Sequence, residues 1–382
     1  MHKRERLMRN GAGESATCAG EKRTGADVKI RFGKIKRNQM IEDISPRMRA
    51  LTAWLRPILA DEGVTDFQLT PASEDASFRR YFRITTPAGT RIVMDAPTAM
   101  EDCRPFIKVA GLMNDAGVHA PRILAQDLTQ GFLLLTDLGT QTYLDVLNDD
   151  NFDALFRPAN DALVKWQLAS KPDVLPPYDA ALLQRELSLF PDWYIAKHLQ
   201  VELASAQRET LAQVFALIVN ANLAQKKVYV HCDYMPRNLM VADGEPKNNP
   251  GVIDFQDAVY GPISYDIASL YRDAFISWDE EQILDGTIRY WEKAKKAGLP
   301  VPAAFDDFYR DVEWMGLQRH LRILGIFARI NYRDGKPKYL ADTPRFVHYV
   351  RKTCERYQEL WPLVRLFNTL KIGDAPMTGF RF

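Results

Sequence analysis

The sequence predicts an α+β protein with a small β-rich N-terminal lobe and a larger, mainly helical C-terminal lobe. Short runs of apolar and β-branched residues, which are typical of strands, are concentrated between positions 67 and 135. From about position 142 onward, apolar residues recur with helical spacing, interrupted only within residues 228–255. We therefore assign residues 46–137 to the N-lobe and residues 138–382 to the C-lobe.

The N-terminal segment differs in composition from the rest of the chain. Residues 1–39 contain eleven basic and four acidic side chains, and almost no large apolar residue before Val28. Because such a segment buries too little apolar surface to fold, we expect residues 1–45 to be a disordered basic extension. A basic arm that contacts RNA or lipid is one alternative, and a true translation start at Met40 or Met48 is another.

Local patterns predict the elements of the N-lobe in order. Helical spacing of apolar residues predicts a helix from Met48 to Leu59, ending near Pro57 and Gly63. A second helix is predicted from Glu101 to Asn114. Strands are predicted at residues 67–69, 80–84, 91–94, 123–125 and 132–135, with a turn at residues 87–89. These elements form a small antiparallel sheet with one helix.

The most informative part of the C-lobe is a polar loop, residues 231–238. His231, Asp233 and Asn238 form the pattern H-x-D-x-x-x-x-N, and Asp254 follows sixteen residues after Asn238. This pattern is typical of sites that transfer a phosphoryl group from a metal-bound nucleotide to a hydroxyl group. Short strands that hold the polar residues at their ends are predicted from the apolar runs 228–230, 239–241 and 251–253.

Each residue type suits that chemistry. A carboxylate must accept the proton of the attacking hydroxyl group, and we assign this role to Asp233. Magnesium prefers hard oxygen ligands, which the amide of Asn238 and the carboxylate of Asp254 supply. His231 is expected to hold the shape of the loop through hydrogen bonds. A zinc site at His231 and Asp233 is disfavoured because no His or Cys pair nearby has metal-ligand spacing.

The charge and the cysteine content of the chain indicate in which compartment the protein works and what it binds. The chain has 50 basic and 49 acidic side chains, so its net charge of +1 gives no general attraction to nucleic acid or an anionic membrane. Its four cysteines are far apart and form no C-x-x-C pair, as expected for free thiols in a reducing compartment. No stretch approaches the ~18 apolar residues of a membrane span, and an apolar signal core is missing at the N-terminus. We expect a cytoplasmic protein whose partners are a nucleotide and a small molecule, in an oligomeric state that the sequence leaves open.

Further motifs resemble a known branch of the protein-kinase-like fold. The segment from Ile253 to Ala258, followed by Tyr260-Gly261-Pro262 and by Tyr265-Asp266-Ile267-Ala268, resembles aminoglycoside phosphotransferases and choline kinases. Within that branch the chain is similar to the bacterial anomeric amino-sugar kinases. Five separated blocks carry this similarity, at residues 76–83, 93–97, 235–240, 254–262 and 318–329.

The resemblance implies an activity and a pathway. It implies ATP-dependent, Mg²⁺-dependent phosphorylation of the anomeric C1 hydroxyl group of N-acetylmuramate, N-acetylglucosamine or both. The sugar 1-phosphate would then feed peptidoglycan recycling. In this family Asp266 would brace the polar loop. Two alternatives stay open: a kinase for another small alcohol, such as an aminoglycoside or choline, and a nucleotide-binding pseudokinase.

The predicted nucleotide site departs from the protein-kinase pattern. The third strand reads Arg91-Ile92-Val93-Met94-Asp95 and has no lysine to pair with the phosphates. We expect one guanidinium of Arg79, Arg80 or Arg83 to take that role, although alternate arginines also suit the solvated face of a strand. The remaining nucleotide contacts are expected from backbone N–H groups near Ser77 and Phe78, and from the connector at Leu135 and Asp137.

The sugar site is predicted from aromatic, acidic and basic side chains. Asp192 and Trp193 combine a hydroxyl acceptor with an aromatic plane, although a helix-capping Asp beside a core aromatic is an equally good interpretation. Asp257 could contact a sugar hydroxyl group. Arg319, Arg322 and Arg329 share one face of a predicted helix, where Arg319 and Arg329 would suit the lactyl carboxylate of N-acetylmuramate. An ordinary salt-bridged helix face is the alternative.

Overall fold

The computed structural model describes residues 45–73, 78–242, 250–272 and 275–373. The chain divides into two units, residues 1–53 and residues 54–382. Helix α1, Pro46–Asp61, begins in the first unit and ends in the second, and it continues past Pro57, where the sequence suggests an end. Apart from Ser45, the predicted disordered extension lies outside the described residues.

The predicted antiparallel sheet of the N-lobe is confirmed and has five strands in the order β1-β2-β3-β5-β4. Helix α2, Arg104–Asp115, follows β3 and begins three residues later than predicted, with Pro105 in its first turn. The strands are β1 Leu69–Ser73, β2 Arg80–Thr86, β3 Gly89–Asp95, β4 Ile123–Asp127 and β5 Phe132–Thr136. All neighbouring strands pair antiparallel.

Burial explains why β5 lies inside the sheet. Phe132, Leu133, Leu134 and Leu135 are all buried, so both faces of this strand are covered. Just before it, Gly131 has φ +73°, and an added Cβ would lie 1.9 Å from the carbonyl oxygen of Ala96. Only glycine therefore allows the chain to enter β5 at this point.

The C-lobe consists mainly of helices, as predicted. A π-helical segment, Phe190–His198, directly follows the fifth helix. The helices are α3 Tyr143–Val146, α4 Phe152–Leu168, α5 Ala180–Leu189, α6 Ser205–Ala224, α7 Tyr265–Tyr271, α8 Glu280–Lys296, α9 Phe305–Asp334, α10 Thr343–Arg356 and α11 Trp361–Thr369. In the part of the chain that the structure describes, none of them combines the length and apolar character that crossing a membrane requires.

Helix α9 is the longest helix and packs against α5, α6, α7, α10 and the π-helical segment. At Gly325 an added Cβ would lie 2.3 Å from the carbonyl carbon of Leu189, so the absence of a side chain lets α9 approach the end of α5.

Short strands frame the polar loop. Strand β6, Lys227–Val230, precedes the loop, and β7, Leu239–Met240, follows it. Strand β8, Gly251–Val252, pairs with β7 and leads to Asp254. These three strands were predicted. Strand β9, Val259–Pro262, pairs with β6 but was not predicted, because its Gly-Pro end is typical of a turn.

Candidate active site

Asp266, at the start of α7, holds the backbone of the polar loop. Its Oδ2 accepts a hydrogen bond from the backbone N–H of His231 at 2.7 Å, and its Oδ1 accepts one from Cys232 at 3.1 Å. Burial raises the pKa of Asp266 to about 7, although the two N–H donors act in the opposite direction. Cys232 has φ +78°, an unusual conformation that these two hydrogen bonds support.

The imidazole of His231 connects the polar loop to the strand before Asp254. Its Nε2 lies 3.0 Å from the carbonyl oxygen of Ile253, and its Nδ1 accepts a hydrogen bond from the backbone N–H of Asp233 at 3.2 Å. These partners require the neutral tautomer with the proton on Nε2. Burial lowers the pKa of His231 to about 4, so the ring is uncharged at neutral pH.

Asp233, Asn238 and Asp254 converge at one place. The Nδ2 of Asn238 donates to the backbone oxygen of Asp233 at 2.9 Å and to the Oδ2 of Asp254 at 3.3 Å. The Oδ1 of Asp254 accepts a hydrogen bond from Gln256 at 2.8 Å. Asp254 has φ +65°, and such strain is common where a side chain must be held in one direction. The side chain of Asp233 is 40% exposed and therefore open to a ligand.

A cleft of about 280 Å³ lies between the sheet and the polar loop. Its lining includes the end of β5 and the connector that follows it, together residues 135–139, and the side chains of Asn238 and Asp254. Leu135 and Asp137, which were predicted to contact the nucleotide, are therefore part of this cleft. A site for a nucleotide and for a cation would lie side by side here.

Three other predicted nucleotide contacts, Phe78, Arg79 and Arg80, are not part of the lining of the cleft. Phe78 donates its backbone N–H to Glu101 at 3.2 Å, and its side chain is exposed. The guanidinium of Arg79 lies 2.9 Å from the same Glu101. Arg80 forms an ion pair with the buried carboxylate of Asp95. Ser77 lies outside the described residues.

Arg83 does line the cleft, but carboxylate and carbonyl groups hold its guanidinium. Its Nε lies 2.5 Å from the Oδ2 of Asp137, and its Nη2 donates to the Oδ1 of Asp137 at 3.1 Å and to the carbonyl oxygen of Gly139 at 2.7 Å. Burial alone would raise the pKa of Asp137, but hydrogen bonds from Arg83 and from the Gly139 N–H lower it overall. This pair joins β2 to the connector.

Arg319 of α9 lies beside Asp233. Its Nη2 is 3.5 Å from the Oδ1 of Asp233, and its side chain is only 3% exposed. Its guanidinium lies over the ring of Tyr265, 5.7 Å from the centroid. Within the described residues, Nε and Nη1 of Arg319 are buried without a hydrogen-bond partner. Because unpaired buried donors are costly, these two nitrogens are available to a polar or anionic group.

A cluster around Glu186, which sequence reasoning missed, lies on the same side of the site. Glu186 accepts hydrogen bonds from the hydroxyl group of Tyr178 and, at 2.9 Å, from Gln318. The Nε of Arg322 lies 3.4 Å from its Oε1, and the Nη1 of Arg322 donates to Tyr265 at 2.7 Å. We call Tyr178, Glu186, Gln318 and Arg322 the Glu186 cluster. The only sequence signal for it is the spacing of four between Gln318 and Arg322 on one helix face.

The charges of the Glu186 cluster affect the pKa of the thiol of Cys232, which is next to Asp233 in the chain. Burial raises the pKa of the Cys232 thiol well above its usual value, and the charges of Glu186 and Arg322 act on it as well. The thiol also contacts the backbone oxygen of Asp257 at 3.5 Å, and the side chain of Asp257 is exposed nearby. The Glu186 cluster and Asp257 therefore both lie near the polar loop.

Three of the predicted sugar contacts, Asp192, Trp193 and Arg329, stay predictions. Asp192 is exposed and Trp193 packs against the core, both in the π-helical segment. Arg329 follows Arg319 by ten residues, which is roughly 15 Å along a helix. No described hydrogen bond or ion pair connects these three side chains to the polar loop.

The sheet, the cleft and the converging polar residues define a phosphotransferase with the protein-kinase-like fold. The chain belongs to the phosphotransferase enzyme family, which matches residues 68–308. It is 54% identical to the N-acetylmuramate/N-acetylglucosamine kinase of Pseudomonas aeruginosa, over 86% of this chain and 98% of that protein. It is 48% identical to the protein of that name from Neisseria meningitidis, over 88% of this chain and 99% of the relative.

Solved structures support the fold alone. A crystal structure titled as a putative aminoglycoside phosphotransferase from Ralstonia eutropha superposes with a TM-score of 0.57 at 15% identity, covering 83% of this chain and 98% of that one. The choline kinase of Streptococcus pneumoniae superposes with a TM-score of 0.56 at 12% identity, covering 79% of this chain and 99% of that one. The predicted fold class and family are thus confirmed.

Proposed function

We propose that this phosphotransferase transfers the γ-phosphoryl group of ATP to the anomeric C1 hydroxyl group of N-acetylmuramate or N-acetylglucosamine. The product would feed peptidoglycan recycling, and the use of ATP suits a reaction in the cytoplasm. The observation that carries the proposal is the convergence of Asp233, Asn238 and Asp254 beside the cleft. The names of relatives that are 48% and 54% identical over nearly their whole length support the choice of acceptor.

Asp233 is the proposed general base. Its exposed carboxylate accepts the proton of the C1 hydroxyl group while the sugar oxygen forms a bond to the γ-phosphorus. The bond from the γ-phosphorus to the β–γ bridging oxygen breaks, and ADP leaves. The neutral His231 exchanges no proton in this scheme; it positions the backbone of Asp233.

Asn238 and Asp254 are the proposed ligands of Mg²⁺. Both nitrogen-bound hydrogens of the Asn238 amide have acceptors, which leaves its oxygen for a cation. The donor set of an amide oxygen and a carboxylate fits magnesium better than a softer metal. When bound, the ion would neutralise charge on the phosphates. Gln256 and Asn238 fix the direction of the Asp254 carboxylate.

We place the adenine against the connector at Leu135 and Asp137 and the acceptor sugar against Arg319. Arg319 is a better candidate than Arg329 for the lactyl carboxylate of N-acetylmuramate, because it is close to Asp233 and has two unpaired donors. The Glu186 cluster would form the wall of the acceptor site behind it. Asp192, Trp193 and Asp257 stay predicted sugar contacts.

The two alternatives fit less well. An aminoglycoside or choline acceptor is cationic, whereas Arg319 places a positive charge beside the proposed base. A pseudokinase would not need Asp233, Asn238 and Asp254 to converge.

An assay of ADP release discriminates among these functions. Purified protein is incubated with ATP, Mg²⁺ and, in turn, N-acetylmuramate, N-acetylglucosamine, choline and an aminoglycoside. The proposal predicts release with the N-acetylated sugars above the rate without acceptor. The proposal would be overturned if choline or the aminoglycoside, and not the N-acetylated sugars, raised the rate, or if no acceptor raised it above the rate without acceptor.

A further inference from the structure

In the proposed function the phosphates lie near Asn238 and Asp254, and strand β3 contributes no basic side chain to the lining of the cleft. Strand β3, Gly89–Asp95, carries no lysine, and Arg91 is the only basic residue in it. Arg91 donates to the carbonyl oxygen of Thr90 and lies 3.9 Å from Glu62, away from the lining of the cleft. Two basic side chains line the cleft in the described part of the chain, Arg83 and Arg237.

Arg83 is already neutralised. Asp137 binds its guanidinium through two oxygens, and the carbonyl group of Gly139 takes a further N–H. Breaking this arrangement would leave the partly buried carboxylate of Asp137 without its cation, which is costly. Arg83 is therefore a poor partner for a phosphate.

Arg237 differs from Arg83 in its place in the chain and in the partners of its guanidinium. It lies in the 3₁₀ turn Pro236–Asn238 and immediately precedes Asn238, the proposed magnesium ligand. Its side chain is exposed and lines the cleft, and its contact within the described residues is with an aromatic ring and not with an acid or carbonyl group. Its guanidinium lies over the ring of Phe275, 5.0 Å from the centroid. A guanidinium that stacks on a ring keeps its N–H edge available for an anion.

We propose that Arg237 binds the β- and γ-phosphates of the nucleotide and supplies the charge that a β3 lysine provides in protein kinases. The inference rests on the proposed function, because it assumes a nucleotide in the cleft. A planar guanidinium can bind two phosphate oxygens through two parallel N–H donors, whereas a lysine ammonium binds phosphate as a point charge. Phe275 acts as a positioning residue that limits the orientations of the guanidinium.

Binding measurements without any acceptor sugar test this role. The affinities of ADP and of adenosine, both with Mg²⁺, are measured by calorimetry for the parent protein, Arg237→Met and Phe275→Leu. We expect Arg237→Met to weaken ADP binding by roughly 10- to 100-fold and to leave adenosine binding unchanged, since it loses hydrogen bonds to a charged group. Phe275→Leu keeps the cation and should weaken ADP binding by a smaller factor, about 2- to 5-fold.

Arg104→Gln is the matched control, because Arg104 is an exposed arginine whose partner is Asp102, two residues away. It should bind ADP as the parent does. If Arg237→Met binds ADP as tightly as the parent, or loses ADP and adenosine equally, the role of Arg237 is overturned and the proposed function is not. A parent protein that binds neither ADP nor ATP would overturn the proposed function and this inference together.

Discussion

Arg319 Nη2 lies 3.5 Å from Asp233 Oδ1, so a buried guanidinium stands beside the proposed general base. The remaining nitrogens of Arg319, Nε and Nη1, have no hydrogen-bond partner within the described residues. One side chain can therefore contact the base and an acceptor group together. Arg319 therefore links the proposed proton transfer at Asp233, in the polar loop, to the choice of sugar.

Replacing Arg319 should change sugar preference. Arg319→Met removes the proposed partner of the lactyl carboxylate, so we expect kcat/KM to fall about 10- to 100-fold more for N-acetylmuramate than for N-acetylglucosamine. Steady-state kinetics on both sugars measure the difference. Arg329→Met is the comparison variant on the same helix. An equal loss on the two sugars in Arg319→Met, or a selective loss in Arg329→Met, would exclude Arg319 as the partner of the lactyl carboxylate.

Asp233→Asn should abolish most turnover and spare nucleotide binding. The amide keeps the shape of the side chain but cannot accept the hydroxyl proton, so we expect kcat to fall by roughly 10²- to 10⁴-fold. The ADP affinity should stay within about twofold of the parent value, because Asp233 does not line the cleft. Retention of more than a tenth of the parent kcat would exclude Asp233 as the base.

The buried, neutral His231 predicts a particular pH dependence of stability. Its folded-state pKa of about 4 is below the model-peptide value of 6.5, so the unfolded chain binds more protons between these values. The contribution of His231 to stability is thus complete above pH 6.5 and is lost as the pH falls. The pKa of Asp266 is raised to about 7, so its contribution to stability changes with pH in the opposite direction. A variant at position 231 retains Asp266, and a comparison with the parent therefore leaves the effect of His231.

Comparison with His231→Asn isolates this effect. We expect the difference in unfolding free energy between the parent and the variant to shrink by about 2 kcal/mol from pH 7.5 to pH 5. Urea unfolding at both pH values measures it. An unchanged difference would mean that the pKa of His231 is the same in the folded and unfolded protein, and a difference that grows as the pH falls would mean that the folded protein holds His231 charged.

Glu186→Gln tests the Glu186 cluster as the wall of the acceptor site. The neutral amide no longer holds Arg322 by an ion pair, so we expect the KM for the sugar to rise by about tenfold. The KM for ATP should not change, because no member of the cluster lines the cleft. A rise in the KM for ATP alone would assign the cluster to another role. Thermal unfolding shows whether the variant remains folded.

The polar loop could be predicted from sequence because its geometry is local. His231, Asp233 and Asn238 lie within eight residues of one another, and short strands bring Asp254 to the same place. The contacts of Arg319 and Glu186 could not be predicted in this way. They join helices that are far apart in the chain, and apolar spacing does not show which polar faces will meet.

The arginines in β2 and immediately before it show the same limit. Arg79, Arg80 and Arg83 were all reasonable phosphate ligands, but each has a carboxylate partner that lies many residues further along the chain. Strand β9 shows a different limit, because tertiary pairing with β6 outweighs the turn preference of its Gly-Pro end.

The most direct test of the central claim follows the phosphate onto the sugar. The protein is incubated with ATP, Mg²⁺ and N-acetylglucosamine or N-acetylmuramate labelled with ¹³C at C1, and the product is observed by ³¹P and ¹³C NMR. We predict a sugar phosphate whose phosphorus couples to the labelled C1, formed by the parent and not by Asp233→Asn. Phosphate on any other carbon, or ATP hydrolysis without a sugar phosphate, would contradict transfer to the anomeric hydroxyl group.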